Sequence, residues 1–447
     1  MAPARSGTSS LTTARAWSLA VVLLVSGCAA TNSPTAAIGQ SRPGASQTAS
    51  ASPQSPTASA VAATAEVTPS AGTRCGDSHG SRAEPQYAFA HVAIPLGSDA
   101  CQDVGPFATP NILYLSNDGS RVAFNATDYE SQGNVWYGDL ATRSVKVVYQ
   151  AQQTASERSR IESVHVVGDQ LIWLETLHAG PNVVDPTKEW AVKTMDLSTR
   201  SVRVLAHGLA PAYAGPKLVY EIRFDGQQIA MAESTKKGWQ IEIMDLTGVV
   251  RSTVAVSTEP FDLALVAGGL LYSTGTENGI AAMGHLRLWH WTPGDGSRQI
   301  GSDVFQINAE GSLSSWVADP EASQNTTGNF QSPRLYAATA PFTNAVPISP
   351  VDSATATKGI DGMACGSGTV SWWEQENWNG AWQDVLTVWQ PDWSSPVQVD
   401  TEGNESYRVS VKGGWLVWVE GLGRDAAPLL ERIRGVPLSV LTSQRKG

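Results

Sequence analysis

The sequence predicts an all-β body, and three observations predict it. A pattern of four short strands recurs along the chain, with glycine at its first turn and Asp-Leu or an equivalent pair at a later one. The second strand of each copy is apolar without polar alternation, as in Leu171-Ile172-Trp173-Leu174. Successive side chains of a strand point to opposite faces, so a strand of this kind is buried on both. A sheet with two apolar faces needs a neighbour on each side, and radial stacking of repeats supplies both while leaving only short edges. The expected architecture is a seven-bladed β-propeller of four-stranded antiparallel blades.

The first copy has strands at Asn111–Leu115, Arg121–Phe124, Val135–Tyr137 and Val145–Tyr149, with its first turn at Asp118-Gly119. The second has strands at Ser163–Val167, Gln170–Leu174, Trp190–Met195 and Ser201–Leu205, turning first at Gly168-Asp169. The third turns at Asp225-Gly226, then runs through Gln228–Ala232, Trp239–Met244 and Arg251–Val256. Four fainter copies turn at Gly268-Gly269, Gly311, Gly368 and Gly413-Gly414. Their second strands are Leu270–Ser273, Leu313–Val317, Val370–Trp373 and Trp415–Val419. Their third strands are Leu286–Trp291, Arg334–Ala338, Val385–Trp389 and, most weakly, Leu429–Ile433. Asp139, Asp196 and Asp245 open later turns, where a carboxylate bonds backbone N–H groups two residues on, so they read as turn formers rather than catalytic acids. Tyr87–Ile94 alternates well enough to be a strand and is expected to fasten the ring to the last copy.

The stretch Ser116-Asn117-Asp118-Gly119-Ser120-Arg121-Val122-Ala123-Phe124 resembles the PDG-x-x-(I/L)-A-F signature of TolB-type, WD40-like propellers, with Asn117 where that family has proline. The resemblance implies a propeller body of the sort found in periplasmic scaffolds and in the non-catalytic domains of some peptidases. It brings no catalytic residues with it.

The N-terminus reads as a targeting segment. Arg5 and Arg15 precede an apolar run from Trp17 to Val25, about nine residues against the roughly 20 of a membrane-spanning helix. Val25-Ser26-Gly27-Cys28 comes next and resembles the lipobox of bacterial lipoproteins. That resemblance implies a signal peptide over 1–27 and lipidation of Cys28. Residues 28–74 are rich in Ala, Ser, Thr, Pro and Gln and carry no aromatic side chain, a composition expected to form a disordered tether. A lead-in segment over 75–106, with a closing strand, and a propeller over 107–447 complete the expected organisation. The expected location is the extracytoplasmic side of the cell membrane, held by the lipid anchor.

Composition narrows the function. Asp plus Glu number 41 against 30 Lys plus Arg, for a net charge of −11, and no basic stripe appears. Nucleic acid is therefore not an expected partner. A monomer is expected. Cys75 and Cys101 flank the lead-in segment and are expected to form a disulfide, since an exported chain sits where such bonds persist. Cys365 reads as a small buried residue. No cysteine or histidine spacing suits a metal, and no cofactor is expected. His285 and His290 lie five apart in one strand and so on opposite faces. Gly76-Asp77-Ser78-His79-Gly80 matches G-x-S-x-G literally, but it lacks the preceding strand and following helix of a nucleophile elbow. No catalytic residue is assigned.

Two candidate sites remain. The second strands end on acids, Glu175, Glu233, Asp319, Glu374 and Glu420, which are expected to form an acidic rim on one face. Trp378 and Trp382, with Asn377 and Asn379 beside them, are expected in a loop of the sixth copy, where stacking on a sugar ring or capping of a peptide would use them. The leading expectation is a non-catalytic binding or scaffold propeller whose loop rim engages a protein, peptide or glycan. The alternative is an extracellular carbohydrate-active hydrolase using rim carboxylates as acid and base. For the anchor, Cys28→Ser should abolish labelling by palmitate and release the protein from the membrane fraction of a bacterial host. Retention of both would remove the anchor.

Overall fold

The computed structural model describes residues 93–94, 102–107, 112–126, 133–151, 154, 157–179, 187–209, 222–235, 238–275, 286–319, 333–349, 360–378, 381–399, 408–422 and 430–445. All lie in one compact unit spanning 58–447. Cys28, the 28–74 tether, Cys75 and Cys101 fall outside the described residues, and the anchor and the disulfide with them.

The body is all-β, built of antiparallel meanders in chain order. The first sheet comprises Ile112–Asp118, Arg121–Ala126, Asn134–Asp139 and Ser144–Gln150. The second comprises Arg158–Val167, Gln170–His178, Thr187–Asp196 and Ser201–Leu209, and the third Ile222–Phe224, Gln228–Thr235, Gly238–Asp245 and Val250–Val256. The fourth has seven strands, from Pro260–Val266 to Val346–Pro347. Its middle strand, Gly296–Glu310, pairs through its first half with Leu286–Thr292 and through its second with Leu313–Ala318. That strand has register shifts on both sides and positive φ at Asp303 and Gln306, so two successive meanders run together through one bent strand. The fifth sheet holds Ile360–Gly366, Thr369–Trp378, Ala381–Trp389 and Val397–Val399, and the sixth Val409–Lys412, Trp415–Leu422 and Leu430–Pro437.

The doubly apolar strands do what their composition requires. Leu171, Ile172, Trp173 and Leu174 are all fully buried. Leu171 and Trp173 pack against the first sheet with Ala123, Val135 and Val148, while Ile172 and Leu174 pack against the third with Ile222, Ile229 and Met231. The sixth sheet behaves alike. Leu416 and Trp418 face the fifth sheet, and Val417 and Val419 pack with Ile433 against Ile112, Val122 and Phe124 of the first. Fully burying such a side chain stabilises by about 1.5–3 kcal/mol. The turn acids act as expected: Asp139, Asp196 and Asp245 accept from the N–H of Ala141, Ser198 and Thr247 at 2.9, 2.9 and 2.8 Å.

The lead-in segment corrects one expectation. Of Tyr87–Ile94, only Ala93–Ile94 is described as strand, and it pairs in parallel with the outer strand of the fifth sheet. The strand added to the sixth sheet is Gln102–Phe107, antiparallel to Leu430–Pro437. Its Gly105-Pro106 pair obscures it in sequence, yet proline is tolerated on an edge strand. The weak last strand is longer than expected and continues into the helix Leu438–Arg445, whose Leu438 and Leu441 are buried. No helix among the described residues is long and apolar enough to cross a membrane.

Where the sixth sheet meets the first, Asn117 is fully buried. Its Nδ2 donates to the carbonyls of Gly119 and Lys412 at 3.1 and 2.9 Å, and its Oδ1 accepts from Ser410 Oγ at 2.7 Å. Proline, which the signature that this stretch resembles has at the same place, has neither group. The chains approach so closely that a Cβ on Gly413, which holds φ at 59°, would stand 2.2 Å from the backbone nitrogen of Gly119. Asn117→Ala should therefore destabilise by about 1–3 kcal/mol, the cost of stranding buried polar groups. Urea unfolding reads this directly, and an unchanged midpoint would mean that the junction does not depend on the amide.

Candidate functional site

The acids at the ends of the second strands do not form an exposed rim. Glu175, Asp319, Glu374 and Glu420 are buried, and Glu233 is half-buried. The reason lies two residues earlier, on the same strand face. Trp418 Nε1 donates to Glu420 at 2.8 Å, Trp173 Nε1 to Glu175 at 3.4 Å, and Trp372 Nε1 to Glu374. Cations complete two of these clusters. Lys193 Nζ lies 2.8 Å from Glu175, which also accepts from Tyr149 Oη at 2.8 Å. Arg432 and Arg434 each stand 3.0 Å from Glu420. Burial and the adjacent Glu175 carboxylate push the Tyr149 hydroxyl well above the usual phenol range. A buried carboxylate needs such donors, because desolvation penalises its charge. The third sheet has Met231 in place of tryptophan. There Gln240 Nε2 donates to Glu233 at 3.3 Å and to Glu242 at 2.9 Å, and burial, then Glu233, raises the Glu242 carboxyl.

The tryptophan-rich segment also differs from expectation. Trp378 and Trp382 lie in strands rather than in a loop. The register pairs Asn377 with Trp382 and Trp378 with Ala381, and Asn379 falls outside the described residues. The described pairing reaches Ile360–Glu374 on the inner side and Leu386–Val399 on the outer side, and the adjoining residues 350–359 and 400–407 lie outside the described residues. Residues 375–378 and 381–384 pair with each other, a two-stranded ribbon at the end of the hairpin.

A second site was not singled out in the sequence. The first strand of each meander contributes to a cavity of about 160 Å³. One register position, three residues before the turn glycine, carries Ser116, His165, Arg223, Asn308 and Ser410, all of which line it. That polar position, inside otherwise apolar strands, is the signal by which the site could have been found.

These residues hold neighbouring sheets together. Ser116 Oγ accepts from Val166 N at 3.2 Å, His165 Nε2 donates to Ile222 O at 2.8 Å, and Arg223 Nε donates to Leu263 O at 2.7 Å. Asn308 Nδ2 donates to Met363 O at 3.0 Å, and Ser410 Oγ accepts from Asn117 N at 3.2 Å. Backbone and turn contacts fill the remaining steps: Ala267 N to Gly311 O at 2.7 Å, and Gly414 N to Ser367 Oγ at 3.0 Å. Cys365 lines the same cavity. Burial pushes its thiol up to about 12, and Sγ donates to Leu313 O at 3.4 Å, so it is an inert packing residue, as expected.

Burial first, then Arg223 and Lys412, bring the His165 imidazole down from 6.5 to about 3, against the bond to Ile222 O. That carbonyl can only accept, so the neutral ring carries its proton on Nε2. Asp262 stands near Arg223, and burial raises its carboxyl while Arg223 draws it back. Between pH 6.5 and 3 the unfolded chain binds a proton at His165 that the native protein refuses. This contribution to stability is complete above pH 6.5 and is lost as the pH falls toward 3. His165→Gln keeps a donor without the titration. Its stability should fall less steeply with acidification over this range, by up to about 1.4 kcal/mol per pH unit. Matching slopes for variant and wild type in acid-dependent urea unfolding would contradict the assignment.

No protein-family model matches the chain, and no curated protein sequence does so either. Solved structures do. A prolyl endopeptidase superposes with a TM-score of 0.51 at 12% identity, covering 75% of this chain and 49% of that one. The acylaminoacyl peptidase of Pyrococcus horikoshii gives 0.48 at 11%, covering 72% and 49%. The β-propeller domain of the Trilobed protease from Pyrococcus furiosus, described as having an open velcro topology, gives 0.48 at 10%, covering 72% and 92%. The chain spans about half the length of the two whole peptidases. Taken with the sheet topology, the likeness to the prolyl endopeptidase bears on the fold alone, and that fold is of the β-propeller kind.

Proposed function

We propose that the protein is a lipid-anchored, extracytoplasmic, seven-bladed β-propeller that binds a protein, peptide or glycan through the ribbon of its fifth sheet and performs no chemistry of its own. The count of seven treats the seven-stranded sheet as two blades sharing the bent strand Gly296–Glu310. Closure of the ring is supported by the packing of the sixth sheet on the first and by Gln102–Phe107 at its outer edge. The anchor rests on the sequence around Cys28.

The observation that carries the binding reading is the ribbon itself. Its register sets Trp382 opposite Asn377 and Trp378 opposite Ala381 near the end of a hairpin. Two tryptophans with an asparagine there suit recognition of a partner, since tryptophan offers a large rigid face with a polar N–H. The hydrolase reading has one pair to offer, Glu233 and Glu242, where one carboxyl is raised beside the other.

Glycan arrays and pull-downs from envelope extracts test both readings. A ligand captured by wild type should be lost with Trp378→Ala and Trp382→Ala together, with the fold intact by circular dichroism. A ligand that binds the double variant equally well would place the site elsewhere. Polysaccharide turnover abolished by Glu242→Gln would replace the binding reading with the hydrolase.

A further inference from the structure

The axial cavity has a chemistry of its own, independent of the ribbon. The protein carries a net charge of −11, yet two of the charged groups lining this cavity are cations whose combined field His165 registers. Arg223 comes from the third sheet, with Nε held by Leu263 O at 2.7 Å. Lys412 comes from the sixth sheet, and its Nζ stands 5.9 Å from the ring centroid of Phe224 in the third. The acids on the lining are turned to other work. Asp225 Oδ1 accepts from Gln227 N and Gln228 N at 2.7 and 2.8 Å, and Glu310 accepts from Ser367 N of the neighbouring sheet. Leu265, Val409, Val411 and Phe224 supply an apolar wall.

We infer that this cavity binds a small monocarboxylate with a short apolar tail, its carboxylate between Arg223 and Lys412 and its tail against Phe224, Leu265 and Val409. A cavity of about 160 Å³ accommodates a solute of about six heavy atoms. Carboxylate charge suits a guanidinium and an ammonium held in a low-dielectric site, where charge-assisted bonds are strongest. Asp225 is exposed and Lys412 half-buried, so the cavity reaches solvent at the end carrying the hairpin turns. The charged and titratable groups lining it are His165, Arg223, Asp225, Glu310, Cys365 and Lys412, with Asp262 near Arg223. Of these, His165 is neutral at ordinary pH and leaves the anion to the two cations.

Isothermal calorimetry and thermal unfolding of the full chain with butyrate, its neutral isostere butyramide, and inorganic phosphate test the assignment. Butyrate should bind saturably and raise the unfolding midpoint, butyramide should do neither, and phosphate should fail to displace butyrate. Lys412→Gln and Arg223→Gln should each weaken butyrate binding about tenfold, the value of one charged hydrogen bond. Should Arg223→Gln fail to fold, Lys412→Gln at the half-buried mouth still decides. Equal binding of butyrate and butyramide, no saturable butyrate binding, full affinity in Lys412→Gln, or displacement by phosphate would each overturn the proposal. The Trp378→Ala, Trp382→Ala variant should bind butyrate as wild type does, which separates this cavity from the ribbon.

Discussion

The constraint on which the structure depends is the unpaired inner edge. Each meander presents its first strand toward a common cavity, and there it has sheet partners on one side only. Backbone N–H and C=O groups left unbonded in a buried place cost about as much as a lost hydrogen bond each. The chain meets this with side chains. A serine, histidine, arginine or asparagine at one register position reaches the backbone of the next inner strand, and where the equivalent residue is Ala264 or Ala364 a turn contact takes over. Pairing two inner strands as a continuous ladder would demand a register that the twist of separate sheets does not allow. Side-chain bridges tolerate the rotation between sheets, and they set how closely the edges converge.

The second device operates farther out, where sheets lie face to face. Tryptophan with glutamate two residues later places an indole donor beside a carboxylate on one face of the second strand. The pair buries a large apolar surface while satisfying the single polar atom of the ring. Glu420, held by Trp418 and both Arg432 and Arg434, shows the full arrangement. Removing one partner from such a buried set costs about 3–5 kcal/mol, whereas an exposed ion pair contributes about 0–1 kcal/mol. These acids therefore belong to sheet packing. The third sheet lacks the indole and loses the arrangement with it. With Met231 there, two carboxylates share one glutamine, and burial, then Glu233, raises the Glu242 carboxyl.

Much of this was legible in the sequence, for physical reasons that can be named. Glycines at Gly119, Gly168, Gly226, Gly268, Gly311, Gly368 and Gly413 mark the first turns, and each adopts positive φ. Strands apolar on both faces declared the stacking. The features that could not be read depend on partners distant in sequence. The acids were found, but their burial is decided by indoles and by cations on adjacent strands. The edge strand Gln102–Phe107 of the sixth sheet carries Gly-Pro, while of the better-looking Tyr87–Ile94 only Ala93–Ile94 is described as strand. The fourth sheet hid its fusion because the chain keeps pairing through Gly301-Ser302-Asp303 without turning back, with Asp303 and Gln306 adopting positive φ at the bend. Trp378 and Trp382 were placed in a loop because apolar alternation stops before them, yet cross-strand pairing extends the hairpin regardless.

The two candidate sites differ in how they are held. The cavity is built from the inner strands, so Arg223 is fixed by the same hydrogen bond that joins its sheet to the next, and Lys412 lies over the Phe224 ring. A rigid frame of this kind spends little ordering on binding and favours a small ligand of defined charge. The ribbon of 375–378 and 381–384 is held by the pairing of its own two strands. The inner strands lack that independence: each is bonded to the next by a side chain, so none can shift without breaking a bond that joins two sheets.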